Sequence, residues 1–149
     1  MAGEEEAASW GFDRLGTTLG VWAHPDDETY LSAGLMAHAV RSGLRVMCVT
    51  ATRGEEGSFD EKRWPTATLG KVREAELMAS LEILGVTDHL WLDYRDGTCA
   101  SVDPEEGTER VRAVIEEVRP DSILTFGPDA MTGHPDHRAA SAWATEAFL

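Results

Sequence analysis

The chain has no apolar run approaching the roughly 20 residues of a membrane helix, so no membrane span is expected. Basic residues are scarce: 13 Lys and Arg stand against 27 Asp and Glu, a formal charge of −14, with no basic cluster to grip phosphates. Nucleic acid is therefore excluded as a partner. Cysteine is nearly absent. Cys48 and Cys99 make no disulfide framework, and both read as free thiols of a reducing cytoplasm. No glycine-rich cradle of the G-x-G-x-x-G or Walker type follows the first strand-like run, which disfavours phosphate chemistry and a dinucleotide dehydrogenase. Residues 1–6 are acidic with nothing apolar behind them, so a secretory signal is not expected and residues 1–16 read as a disordered lead-in. What is present is an ordinary globular composition, 42% apolar over 149 residues, enough for one domain with a sizeable core.

Short β-like runs alternate with amphipathic stretches. Strands are expected at 17–23, 45–50, 89–92 and 122–126. Helices are expected at about 29–42 with Gly43 as terminator, at 68–84 with Gly85 just beyond, from Asp103 to Pro120, and from about His137 to the last residue. Asp103 as N-cap, Pro104 at the first helical position and Glu105 and Glu106 in the first turn all suit a helix N-terminus. This alternation predicts right-handed crossovers and a three-layer, Rossmann-like α/β fold: a parallel sheet with helices on both faces, strand order beginning 3-2-1-4. In that order strands 1 and 4 flank the crevice beyond the strand carboxyl ends, where ligands bind.

Two polar segments follow those two strands: Ala23-His24-Pro25-Asp26-Asp27-Glu28 and Gly133-His134-Pro135-Asp136-His137. The first alone could be a polar turn with helix-capping acids; the second, with two histidines three residues apart around Pro135 and Asp136, is less easily explained as structure. Together they place imidazoles and carboxylates on both sides of one crevice, and those are the ligand types of a catalytic zinc, which keeps a water in its fourth position. His24 and Asp27, three residues apart, can point to one spot while Asp26 points elsewhere. His24, Asp27 and His137 are the expected metal ligands. Zinc is the expected ion, and Fe2+ or Co2+ is compatible with the same donors. His38 and His89 read as solvent-facing or core-edge residues, and the tryptophans mainly as packing.

These motifs resemble those of the LmbE-like, or PIG-L, zinc-dependent N-deacetylases. That family includes the N-acetylglucosaminyl-phosphatidylinositol de-N-acetylases and the deacetylases of mycothiol and bacillithiol biosynthesis. Thr52-Arg53-Gly54-Glu55-Glu56-Gly57 is similar to the family's loop after strand 2. Arg73-Glu74-Ala75-Glu76 with Leu84-Gly85-Val86 is similar to its second helix, and Asp96-Gly97 to its loop after strand 3. The resemblance spans roughly residues 17–149, the expected deacetylase domain.

It implies hydrolysis of the acetamide of a small N-acetylglucosamine-type sugar or conjugate. It further implies Asp26 as general base rather than ligand, and His134, protonated and oriented by a carboxylate such as Asp136, as oxyanion partner and proton donor. Arg73 and Asp96 would bind sugar hydroxyls. Family members are usually longer, so the chain reads as C-terminally truncated. A catalytically incomplete metal-binding domain and an amidase of thiol conjugates are the alternatives. The final helix, with Ala144, Phe148 and Leu149, is expected to present a face for self-association.

Overall fold

A computed structural model describes residues 11–149; residues 1–10 of the expected lead-in lie outside the described residues. Four strands form one sheet, β1 (Thr18–Trp22), β2 (Val46–Thr50), β3 (Asp88–Trp91) and β4 (Ser122–Leu124), in the order β3-β2-β1-β4. Every pairing is parallel, with Thr18 opposite both Val46 and Ser122. The helices are α1 (Asp27–Arg41), α2 (Thr66–Leu84), α3 (Pro104–Val118), the short α4 (Ala130–Gly133) and α5 (Pro135–Phe148). The expected Rossmann-like order is the observed one.

Alternation along the strands divides the core in two. Leu19 and Val21 of β1 and Met47 and Val49 of β2 face α3 and α5, where Val111, Val114 and Trp143 meet them. Trp22, Val46 and Cys48 face the other way, onto Met36 and Ala39 of α1 and Leu77 and Leu81 of α2. β1 and β2 are buried along their whole length, as central strands of a parallel sheet must be. Cys48 and Cys99 are both buried free thiols.

Several boundaries differ from the sequence reading for identifiable reasons. α1 begins at Asp27, two residues early, because Asp26 turns the chain in a left-handed conformation (φ 97°). α5 begins at Pro135 because the His134 imidazole acts as its cap, Nδ1 accepting the Asp136 N–H at 3.1 Å. Asp103 caps α3 as expected, accepting from the Glu105 N–H at 2.9 Å. Gly43 and Gly85 take left-handed φ values of 79° and 78° after α1 and α2, which glycine does without steric cost. Within the expected lead-in, Phe12–Leu15 forms a 3-10 turn whose Phe12 ring lies 5.4 Å from the ring of His38. The self-association face needs correction: Ala144 is buried in the α3–α5 core, and only Phe148 and Leu149 stand in solvent. Among the described residues, no helix is long and apolar enough to cross a membrane.

Candidate metal centre

β1 ends at Trp22, and the next residues carry His24 and Asp27 to the carboxyl edge of the sheet. The chain leaving β4 passes through α4 and delivers His137 to the same point from the first turn of α5. There the His24 Nδ1 lies 3.2 Å from the His137 Nε2. The Asp27 carboxylate closes the triangle, Oδ2 at 3.6 Å from His24 and Oδ1 at 3.3 Å from His137. All three residues are buried. Asp27 is locked in place by the His24 N–H, which donates to its Oδ2 at 2.8 Å.

Both imidazoles are fixed in the tautomer that aims a lone pair at this point. His137 Nδ1 lies 3.2 Å from the Ala130 carbonyl, an acceptor only, so Nδ1 carries the proton and Nε2 is bare. Thr132 Oγ1 lies 3.2 Å from the same Nδ1. His24 Nε2 faces two carboxylates, Asp96 at 3.1 Å and Asp136 at 3.2 Å, so that nitrogen carries the proton and Nδ1 is bare. Two lone pairs 3.2 Å apart beside a carboxylate repel unless a cation or a proton lies among them. The donor separations also fit a metal: corners about 2.0–2.1 Å from the centre of a tetrahedron are about 3.3 Å from one another. These three residues can hold a divalent ion.

Without an ion, a proton takes that place. Burial opposes charge on His24, but hydrogen bonds to Asp136 and Asp96 and the field of Asp27 prevail, raising it from 6.5 to about 9. Burial opposes charge on Asp136 and Asp96 too, which for a carboxyl pushes the pKa up. The His24 bond and backbone N–H donors outweigh it, so both carboxyls sit below their ordinary value. Asp136 accepts from the Gly97 and Cys99 N–H groups at 2.8 and 3.0 Å, and Asp96 from the Glu56 N–H at 2.9 Å. A second group of donors, His24 with Asp96 and Asp136, is thus already satisfied by hydrogen bonds. His134, also near enough to His24 and His137 to serve as a donor, is exposed and edge-on to His24 at 4.8 Å.

Three residues given roles by the family resemblance also make contacts within the protein. Asp96 is buried at the edge of the cleft, with its carboxylate against His24 and the Glu56 N–H. Arg73 binds protein: Nη1 donates to the Gly54 carbonyl at 2.8 Å, and Nη2 to the Pro25 carbonyl at 2.6 Å and Asp26 Oδ2 at 3.2 Å. The Asp136 carboxylate turns toward His24, not His134, whose Nδ1 instead takes the Asp136 backbone N–H. That bond leaves the His134 proton on Nε2, and burial with the nearby His24 holds its pKa below the ordinary value.

Asp26 is outside the triangle. Its half-exposed side chain reaches the cleft, where burial holds its carboxyl above the usual range against the pull of Arg73. The cleft measures about 290 Å³ and is lined by His24, Asp26, Arg73, Asp96, His134 and His137 among others. Ala130, Thr132 and Phe126 were not picked out from sequence. Ala130 and Met131 adopt left-handed φ values of 59°, an uncommon choice that brings the Ala130 carbonyl to His137. Phe126 stacks on the His137 ring at 4.1 Å. Only the adjacent Pro128-Asp129 turn signal hinted at this segment.

Residues 19–148 match the PIG-L family, described as GlcNAc-PI de-N-acetylase. The chain belongs to the PIG-L family. This PIG-L chain is 37% identical over 149 aligned positions to 1D-myo-inositol 2-acetamido-2-deoxy-α-D-glucopyranoside deacetylase of Streptomyces avermitilis, covering 85% of the chain and 51% of that protein. Among solved structures it is similar to N,N′-diacetylchitobiose deacetylase of Pyrococcus horikoshii, with a TM-score of 0.79 at 28% identity over 91% of this chain and 50% of that one. It is also similar to GalB, the 4-carboxy-2-hydroxymuconate hydratase of Pseudomonas putida, with a TM-score of 0.74 at 26% identity, covering 89% and 55%. The chain spans about half the length of the curated relatives it matches.

Proposed function

We propose that this chain carries the metal-binding and water-activating part of an N-deacetylase acting on a GlcNAc-type sugar or conjugate, with His24, Asp27 and His137 holding a zinc-class ion. The observation that carries the reading is the convergence of two tautomer-locked imidazole lone pairs and a carboxylate within 3.2–3.6 Å. When bound, such an ion polarises the amide carbonyl and makes water acidic near pH 7.

The remaining work falls to side chains. Asp26, held at the cleft by Arg73, takes a proton from the attacking water. His134 presents Nε2–H to the carbonyl oxygen as negative charge develops there, and then serves the departing nitrogen. The water oxygen bonds to the acyl carbon, the C–N bond breaks, the acyl group leaves as acetate, and the departing amine takes the proton that Asp26 accepted from the water. Asp96 and Asp136 hold His24 in its tautomer, a support that second ligands of metal sites commonly receive. Two buried free thiols accord with the reducing cytoplasm as its location.

A different outcome is favoured by one solved relative, a hydratase, because the same groups would suit addition of water to a double bond. Protein loaded with zinc should release acetate from N-acetylglucosaminides such as the inositol glycoside, measured enzymatically alongside bound metal. Metal retained with no acetate from any N-acetyl sugar would instead mark a binding domain or a hydratase.

A further inference from the structure

One group in the first motif has no part in the mechanism above. Glu28 is wholly buried, 0% exposed, at the start of α1. An acid that served only the helix dipole would sit in water, where that effect is felt at no desolvation cost. Instead its carboxylate accepts two hydrogen bonds: Oε1 from Thr29 Oγ1 at 2.9 Å and Oε2 from the backbone N–H of Asp26 at 3.2 Å. Asp26 is the residue that needs holding. Its φ of 97° is one that residues with a Cβ adopt at a cost, and nothing in its own side chain supplies a cap bond to α1. The backbone carbonyl before it, that of Pro25, is held from outside by Arg73 at 2.6 Å, and the Asp26 carboxylate by the same guanidinium at 3.2 Å.

We propose that Glu28 is the positioning residue of Asp26: the buried carboxylate and Arg73 grip the Pro25–Asp26 peptide from its N–H and C=O sides and keep the left-handed turn that aims the base into the cleft. The assignment of Asp26 as base rests on the function proposed above; the grip on its backbone does not. With the Asp26 N–H released, the residue relaxes toward ordinary φ and its carboxylate leaves the cleft, while His24, Asp27 and His137 keep their places.

Glu28→Met removes the acceptor at similar volume, and Glu28→Gln keeps an acceptor oxygen. Both are made in the full chain and loaded with zinc. Three quantities are read: amide hydrogen exchange at Asp26 by NMR, bound zinc, and kcat and KM for acetate release. In Glu28→Met the Asp26 amide should exchange about tenfold faster or more, against unchanged exchange in β1 and β2. Zinc content and KM should hold, and kcat should fall by a factor on the order of 10², the effect of a base misplaced by about an ångström. Glu28→Gln should restore most of the exchange protection and most of kcat. Unchanged Asp26 exchange in Glu28→Met would overturn the proposal. So would zinc loss in parallel with kcat, which would tie Glu28 to Asp27 instead. Should the wild-type chain release no acetate, the exchange readout still decides the positioning role and only the functional reading fails. If Glu28→Met does not fold, Glu28→Ala, which removes the same acceptor without placing a long apolar chain there, is read in its place: unchanged Asp26 exchange in it would overturn the proposal.

Discussion

Replacing Asp26 by asparagine isolates the proton-transfer step from everything else the residue does. Asparagine enters the left-handed region about as readily as aspartate, so φ 97° carries no added strain. Its amide oxygen can still accept from Arg73 Nη2, now 3.2 Å from the carboxylate. What is lost in stability is the charge on a half-exposed pair, worth about 0.2–1 kcal/mol, or a shift of no more than about 4 °C in Tm for a chain of this size. Metal content should not change, because Asp26 contributes no atom to the His24–Asp27–His137 triangle. Turnover should fall by roughly 10²–10⁴, the usual worth of a general base. Asp26→Ala provides the contrast. Alanine in the left-handed region costs roughly 1–2 kcal/mol, so the two variants should differ in stability by about that much at equal loss of turnover. Thermal melts, metal analysis and acetate release on both variants form the assay. Turnover within a factor of about three of wild type in Asp26→Asn would remove Asp26 from the role of base. Loss of metal from it would place Asp26 among the ligands.

Alanine at His24, Asp27 or His137 should each abolish stoichiometric metal, read by mass spectrometry of the native protein; full occupancy in any one would strike that residue from the set. For metal-stripped protein, stability should peak near pH 6.5. His24 rises from 6.5 to about 9 on folding, so its contribution, roughly 3 kcal/mol, is present below pH 6.5 and lost as pH climbs toward 9. His89, forced by burial down to about 4, is protonated more readily in the unfolded chain and erodes stability as pH falls from 6.5 toward 4. Chemical denaturation across pH 4–9.5 checks both limbs, and zinc should flatten the alkaline one; a monotonic profile would refute the assignment. Gly107→Ala should destabilise by about 1–3 kcal/mol despite better helix propensity, because the added Cβ falls inside the Trp143 indole where α3 meets α5. A urea midpoint equal to wild type, with unshifted Trp emission, would contradict that packing.

The strand order was legible because hydrophobic runs and helix terminators recur at regular spacing, and because parallel crossovers have one hand. The pairing of the two histidine motifs followed from that order alone. Less visible were the supports of His24. Asp96 and Asp136 reach its Nε2 from the loop after β3 and the first turn of α5, and no local pattern marks a carboxylate as aimed at a residue 112 positions away. Arg73 looks like an ordinary helix-surface cation in sequence; only the folded β2–α2 loop supplies the Gly54 carbonyl it binds. The α4 turn was missed because two non-glycine residues in left-handed conformations go against local preference, held there by the contact of Ala130 with His137.

The placement of β1 in the middle of the sheet sets an order of events during synthesis. Its partner β2 follows within a few dozen residues, but on its other side Thr18 waits for Ser122. At about 5–20 residues per second, β4 emerges from the ribosome roughly 5–20 s after β1. For that interval one flank of Thr18–Trp22, an apolar strand with open N–H and C=O groups, is a template for any passing strand. The nascent N-terminal half is therefore the form in which this protein is most prone to aggregate, and a chaperone that shields extended apolar segments would have its natural target there.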